Sequence, residues 1–178
     1  MAFVPEDGTG LSNSNSYVSE AFADSYFTDR GNATWAAALT ADKETALVRA
    51  TDYLDKRFGP KFRGFKQSMS QALEWPRIGA LDDDDYLLNG VDNIPRQLQK
   101  ATAEYGLRAL SAVLAPDNTN AGIAITKKKV GPIETVNELS NPGSPSLVSP
   151  NSIPEYPEAD LWMSELIKTT TSRTTVRA

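Results

Sequence analysis

Proline is unevenly spread in this chain, and its distribution limits the fold more than any other feature: five of the eleven prolines fall between Pro142 and Pro157. Proline lacks a backbone N–H and locks φ, so the segment SNPGSPSLVSPNSIPEYP is excluded from a helix interior and from a central strand. It predicts an extended, polyproline-like arm. Beyond it, EADLWMSELIK predicts a short terminal helix carrying Leu161, Trp162 and Leu166, followed by the tail TTTSRTTVRA. The expected organisation is an N-terminal arm over 1–15, a helical core with a β element over 16–139, and an extended C-terminal arm with its terminal helix over 140–178.

Helical periodicity dominates what precedes the prolines. Ser19 is placed to cap a first helix running to about Arg30, with Phe22, Ala23, Tyr26 and Phe27 at three-and-four spacing and Gly31 as the left-handed stop. ATWAAAL predicts one turn around Trp35. Thr40 is expected to cap a second long helix over 41–58, whose Leu47, Ala50, Leu54 and Phe58 share a face and which Gly59-Pro60 terminates. Pro95 suits the first position of a third long helix reaching about Leu114, with Leu98, Ala101, Tyr105, Ala109 and Ala112 on one side. Between 67 and 94 the chain looks mostly irregular. In residues 122–139 the β-branched Ile123, Ile125, Val130, Ile133 and Val136 are broken by Gly131-Pro132, which predicts two short strands or a bent edge strand. The expected class is mainly α, a small helical bundle with a short β element and an extended C-terminal arm.

The chemistry open to such a chain is narrow. It has neither cysteine nor histidine, which removes thiolate chemistry, cysteine-ligated zinc and the commonest neutral-pH base. No carboxylate pair has a recognisable catalytic spacing, and the four acids Asp82–Asp85 lack the alternation and the glycine of a calcium loop. The expectation is no enzyme, no catalytic residue, no cofactor and no metal. No apolar run reaches bilayer length, so no membrane partner is expected.

Two basic clusters remain. KRFGPKFRGFK places Lys56, Arg57, Lys61, Arg63 and Lys66 among three phenylalanines, and cations interleaved with rings are the ingredients of single-strand binding. Their ordinary reading is a helix end and its loop, with the rings as core anchors, and that reading predicts Phe58 and at least one of Phe62 and Phe65 to be buried. Lys127, Lys128 and Lys129 form the second cluster, either a solvated turn or a non-specific phosphate contact. The formal net charge of −5 repels polyanions at a distance, so any contact with DNA must be local. Trp75, followed by Pro76, is a rigid aromatic anchor for the core or for another subunit, as are Leu161, Trp162 and Leu166 for a subunit or portal surface.

Four stretches, EDGTGLSNSNSYVSEAFADSYFTDRGNATW at 6–35, ATDYLDKRF at 50–58, QALEWPR at 71–77 and KKVGPIE at 128–134, together resemble a family found in tailed-phage genomes and labelled DnaT-like single-stranded-DNA-binding proteins. Size and helix order also resemble the head-tail connector adaptors. That second resemblance implies a structural virion protein at the head-tail junction, assembled in the host cytoplasm. It would form a homo-oligomeric ring, usually of twelve subunits, with the portal protein above, a tail or neck protein below, and transient, non-specific contact with passing genomic DNA. An acidic chain with its cations confined to loops suits a conduit, and this adaptor reading is the favoured expectation. The alternative is a DnaT-like single-stranded-DNA-binding replication protein.

Overall fold

The computed structural model of the protein describes residues 2–88, 94–116, 124–130, 133–139 and 154–168. The fold is mainly helical, as expected. Among the described residues there are five α-helices, α1 (Glu20–Thr28), α2 (Ala33–Ala37), α3 (Thr40–Phe58), α4 (Arg96–Ser111) and α5 (Pro157–Met163), and two small antiparallel ribbons, β1 (Phe65–Lys66) with β2 (Arg77–Ile78) and β3 (Ala124–Val130) with β4 (Ile133–Leu139). The contacts divide the chain into two compact units, residues 1–114 with 155–178, and residues 115–154.

Local chemistry sets most helix ends. Ser19 caps α1, its hydroxyl accepting from the N–H of Phe22 at 3.2 Å, and the helix stops at Thr28 before Gly31 turns left-handed at φ +61°. Asn32 then caps α2 through the N–H of Trp35. Two boundaries differ from expectation. Thr40 is the first residue of α3 rather than its cap; Leu39 holds the extended cap position and supplies no side-chain acceptor. Likewise α4 begins at Arg96, with Pro95 in the extended position before it, and ends at Ser111. Ala112 is already extended and exposed, so it drops out of the expected stripe, while Leu114 remains buried beyond the helix.

The apolar faces pack as their periodicity requires. Leu47, Ala50, Leu54 and Phe58 of α3 and Leu98, Ala101, Tyr105 and Ala109 of α4 are all buried. Gly106 lets the two helices approach closely, since a Cβ there would lie 3.0 Å from Leu47 Cδ2. Val18, Phe27 and Trp35 seal the α1–α2 end of this core. At the other end α5 contributes Ala159 and Met163, and Leu166 just beyond it, to the cluster that contains Phe58, Phe62 and Trp75. Burying a side chain of this size stabilises by about 1.5–3 kcal/mol, which is how so short a helix is held.

The N-terminal segment is organised around a buried carboxylate. Glu6 accepts from the N–H groups of Gly8, Gly10 and Leu11 and from the Ser14 hydroxyl, at 2.7–3.2 Å. The glycines of DGTG thus wrap an anion belonging to the chain itself, with Gly8 and Gly10 at positive φ.

In the smaller unit β3 and β4 form a hairpin with Ala124 opposite Leu139 and Val130 opposite Ile133, the two strands expected from the β-branched residues. The expected proline-rich arm over 140–153 and the tail over 169–178 lie outside the described residues.

Candidate nucleic-acid interface

The basic-aromatic stretch straddles the end of α3, a single 3-10 turn at Gly59–Lys61 and the strand β1. Its three rings have separate fates. Phe58 and Phe62 are buried, Phe62 edge-on to Trp75 with ring centres 5.9 Å apart. Phe65 is 78% exposed, paired across the ribbon with the exposed Ile78. Helical spacing at 58, 62 and 65 would have put the rings on one face. The turn at Gly59-Pro60 and Gly64, at φ +70°, break the period and turn the third ring outward.

The ribbon is braced from beneath. Arg77 donates to the carbonyls of Arg63 and Gly64 at 2.8 and 2.9 Å and to the Glu74 carboxylate at 3.1 Å. Glu74 is held in turn by its N–H, which donates to Asp55 Oδ2 and to the Tyr17 hydroxyl, both at 3.1 Å. Tyr17 also accepts from Trp75 N–H and donates to Asp55 Oδ1. Burial pushes the Asp55 carboxyl up to about 6, against the lowering effect of these hydrogen bonds. The same burial raises the Tyr17 phenol well above its ordinary range.

The five cations of the stretch divide into two groups. Arg57 turns inward, pairing with Asp160 at 3.2 Å and donating to the hydroxyls of Tyr53 and Tyr105. Arg63 is likewise spent on the carbonyls of Ile167 and Leu81 and on Asp83. Lys56 and Lys61 are exposed and enter no ion pair among the described residues. Lys66 is exposed on β1 and shares the Glu74 carboxylate at 3.1 Å. Three lysines and one phenylalanine of the stretch are therefore exposed, Lys66 on the opposite face of β1 from Phe65.

The remaining candidates are placed as follows. Trp75 is fully buried, and so is Leu166; both lie in the chain's own core. Trp162 is half-buried beneath the Lys100 ammonium, 4.1 Å from its ring centre, and Leu161 is exposed. Lys127, Lys128 and Lys129 are consecutive on β3. Asp83 meets Arg63 while Asp82 Oδ1 accepts from the N–H groups of Asp84 and Tyr86, so the acidic run forms a self-bonded turn. Among the described residues no group of acids is placed to hold a metal ion, and no helix is long and apolar enough to cross a membrane.

Two exposed apolar side chains of this region were not legible in the sequence: Ile78, which pairs with Phe65 across the ribbon, and Met69 in the loop between the two strands. The only signal for Ile78 was the two-residue strand pairing that Gly64 permits.

A family model described as "Putative DnaT-like ssDNA binding protein" matches residues 1–178. No curated protein and no solved structure matches the chain. The description names single-strand binding, and it overturns the adaptor expectation together with its virion location at the head-tail junction, its ring and its connector role. The portal, tail and twelve-subunit partners have no support in it either. Two physical reasons led the expectation astray. Net charge governs the distant field, not a local patch, and the terminal helix expected to dock elsewhere is packed against this chain's own core. The match runs the full length of the sequence, and the chain belongs to the family described as DnaT-like ssDNA binding proteins.

Proposed function

We propose that the protein is a DnaT-like single-stranded-DNA-binding protein of replication, a binding module rather than an enzyme, and that it holds the strand on the outer face of the β1–β2 ribbon. The observation that carries this reading is the exposed Phe65 ring on a braced ribbon, with Lys56, Lys61 and Lys66 as the outward cations of the same stretch. An unpaired base stacks on the ring and the lysines meet the flanking phosphates. The brace matters because a ring fixed before binding loses little freedom on stacking. Arg57 and Arg63 serve the fold that carries the site. Lys127, Lys128 and Lys129 on β3 are a second candidate phosphate contact, belonging to the smaller unit by itself. The absence of histidine and cysteine agrees with a protein that binds and does not turn over.

Fluorescence anisotropy with a labelled oligothymidylate tests this. Phe65→Ala should weaken binding by about 1–3 kcal/mol, the worth of one stacked base. The combined Lys56→Ala, Lys61→Ala and Lys66→Ala variant should flatten the salt dependence by about two units of slope, and Lys127→Ala with Lys128→Ala and Lys129→Ala reads the share of the second cluster. Unchanged affinity in the folded Phe65→Ala protein would remove the ribbon from the interface.

A further inference from the structure

A second basic-aromatic surface lies away from the ribbon residues, in a cleft of about 280 Å³ between α1 and the first turns of α4. Phe22 and Tyr26 on α1 and Arg30 in the turn that ends it follow one another at four-residue spacing. The rings of Phe22 and Tyr26 are stacked, 15° from parallel with centres 6.4 Å apart, and the Arg30 guanidinium covers Tyr26 at 3.5 Å. Arg96 and Lys100, also four apart, line the opposite wall from α4. One residue of each helix turn thus faces the cleft.

The charge balance is unusual for this chain. Three cations line the cleft against one carboxylate, Asp29, although the whole protein carries a net charge of −5. Arg30, Arg96 and Lys100 enter no ion pair among the described residues. Arg30 donates to the carbonyl of Tyr26, and Lys100 lies over the ring of Trp162. Two further acids bear on the lining: Glu104 sits behind it, buried and accepting from the Tyr26 hydroxyl at 2.8 Å, and Glu158 is close enough to act electrostatically on Tyr26. Burial raises the Glu104 carboxyl above the ordinary glutamate range, while the Tyr26 hydrogen bond acts in the opposite direction.

We infer that this cleft binds the phosphate of a nucleotide, either one link of a DNA strand or a free mononucleotide, with Arg96 and Lys100 on the phosphate and Phe22 beside the base. Converging cations select an anion, and an arginine beside a lysine suits phosphate oxygens. The aromatic wall adds a face for a base. The volume of about 280 Å³ lies just below the usual range for ligand pockets, which suits a phosphate with a base resting at the mouth of the cleft better than a folded partner.

The inference stands independently of the ribbon reading, and one experiment separates the two. Backbone-amide NMR of the full chain is followed during titration with thymidine monophosphate, with an oligothymidylate, and with sodium chloride to matched ionic strength. Both nucleotides should shift α1 and α4 resonances around Phe22, Arg30, Arg96 and Lys100 where chloride does not. Arg96→Glu with Lys100→Glu should weaken the mononucleotide effect at least about tenfold. If that double variant fails to fold, Arg96→Gln should still weaken it about threefold. A response to the oligomer alone would assign the cleft to the strand, and a response to both would admit free nucleotides as well. Shifts confined to the ribbon, equal shifts with chloride, or mononucleotide binding unaltered by the variants would overturn the cleft and leave the ribbon standing. Cleft shifts without ribbon shifts would instead sink the ribbon reading.

Discussion

Gly64 shows how much of this site depends on one residue. Its φ of +70° belongs to the left-handed region, and a Cβ there would fall 2.5 Å from the Ile78 carbonyl oxygen and 2.7 Å from the Ala80 nitrogen. Both obstacles are backbone and cannot swing aside. Gly64→Ala should therefore cost about 3 kcal/mol or more, combining φ strain with a clash, read as a lower urea midpoint at unchanged slope. Asp55 gives a second prediction, in pH. Its carboxyl rises from 3.8 to about 6 on folding, so between those values the native state binds the proton more tightly than the unfolded chain. Its contribution to stability is full below about pH 4 and is lost as pH rises through about 6. Asn carries no such dependence, so the deficit of Asp55→Asn relative to the parent should grow by about 2 kcal/mol as pH falls from neutral to about 4.5. Paired denaturation curves at the two pH values check this; a deficit that shrinks on acidification would contradict the assignment.

Among the elements, the long helices were legible because their apolar residues recur at 3.6-residue spacing over many turns. The faces of α3 and α4 were readable residue by residue, while their ends were not, because Leu39 and Pro95 hold cap positions without a side-chain acceptor. Ser19 and Asn32 do supply one, but of the two only Ser19 was read as a cap from sequence. Helix α5 was legible as a helix; its docking site was not. Nothing in EADLWMSELIK shows that Arg57 on α3 pairs with Asp160 or that Met163 lies beside the core that holds Phe62. Met163→Ala should cost about 2–5 kcal/mol, the range for emptying a fully buried aliphatic site. Thermal unfolding measures it, and a cost under about 0.5 kcal/mol, as at a surface site, would mean the helix is not held as described. Truncation before Glu155 should open the same core, lowering the unfolding temperature further still.

At the scale of the whole molecule, sequence composition pointed away from the proposed function and local exposure points toward it. A chain of net charge −5 reads as a poor partner for DNA when charge is summed. The fold withdraws Arg57 and Arg63 into internal pairs and turns Phe65, Lys56, Lys61 and Lys66 to solvent. Exposure of one ring in three was invisible in the spacing, because a turn and a left-handed glycine decide it. The most direct measurement of the central claim is a comparison of affinities of the full chain for an oligothymidylate and for a duplex of equal length at physiological salt. Stacking needs unpaired bases, so binding to the single strand should be tighter, with the difference reduced in Phe65→Ala. Equal affinity for the two forms, or no binding to either, would contradict it.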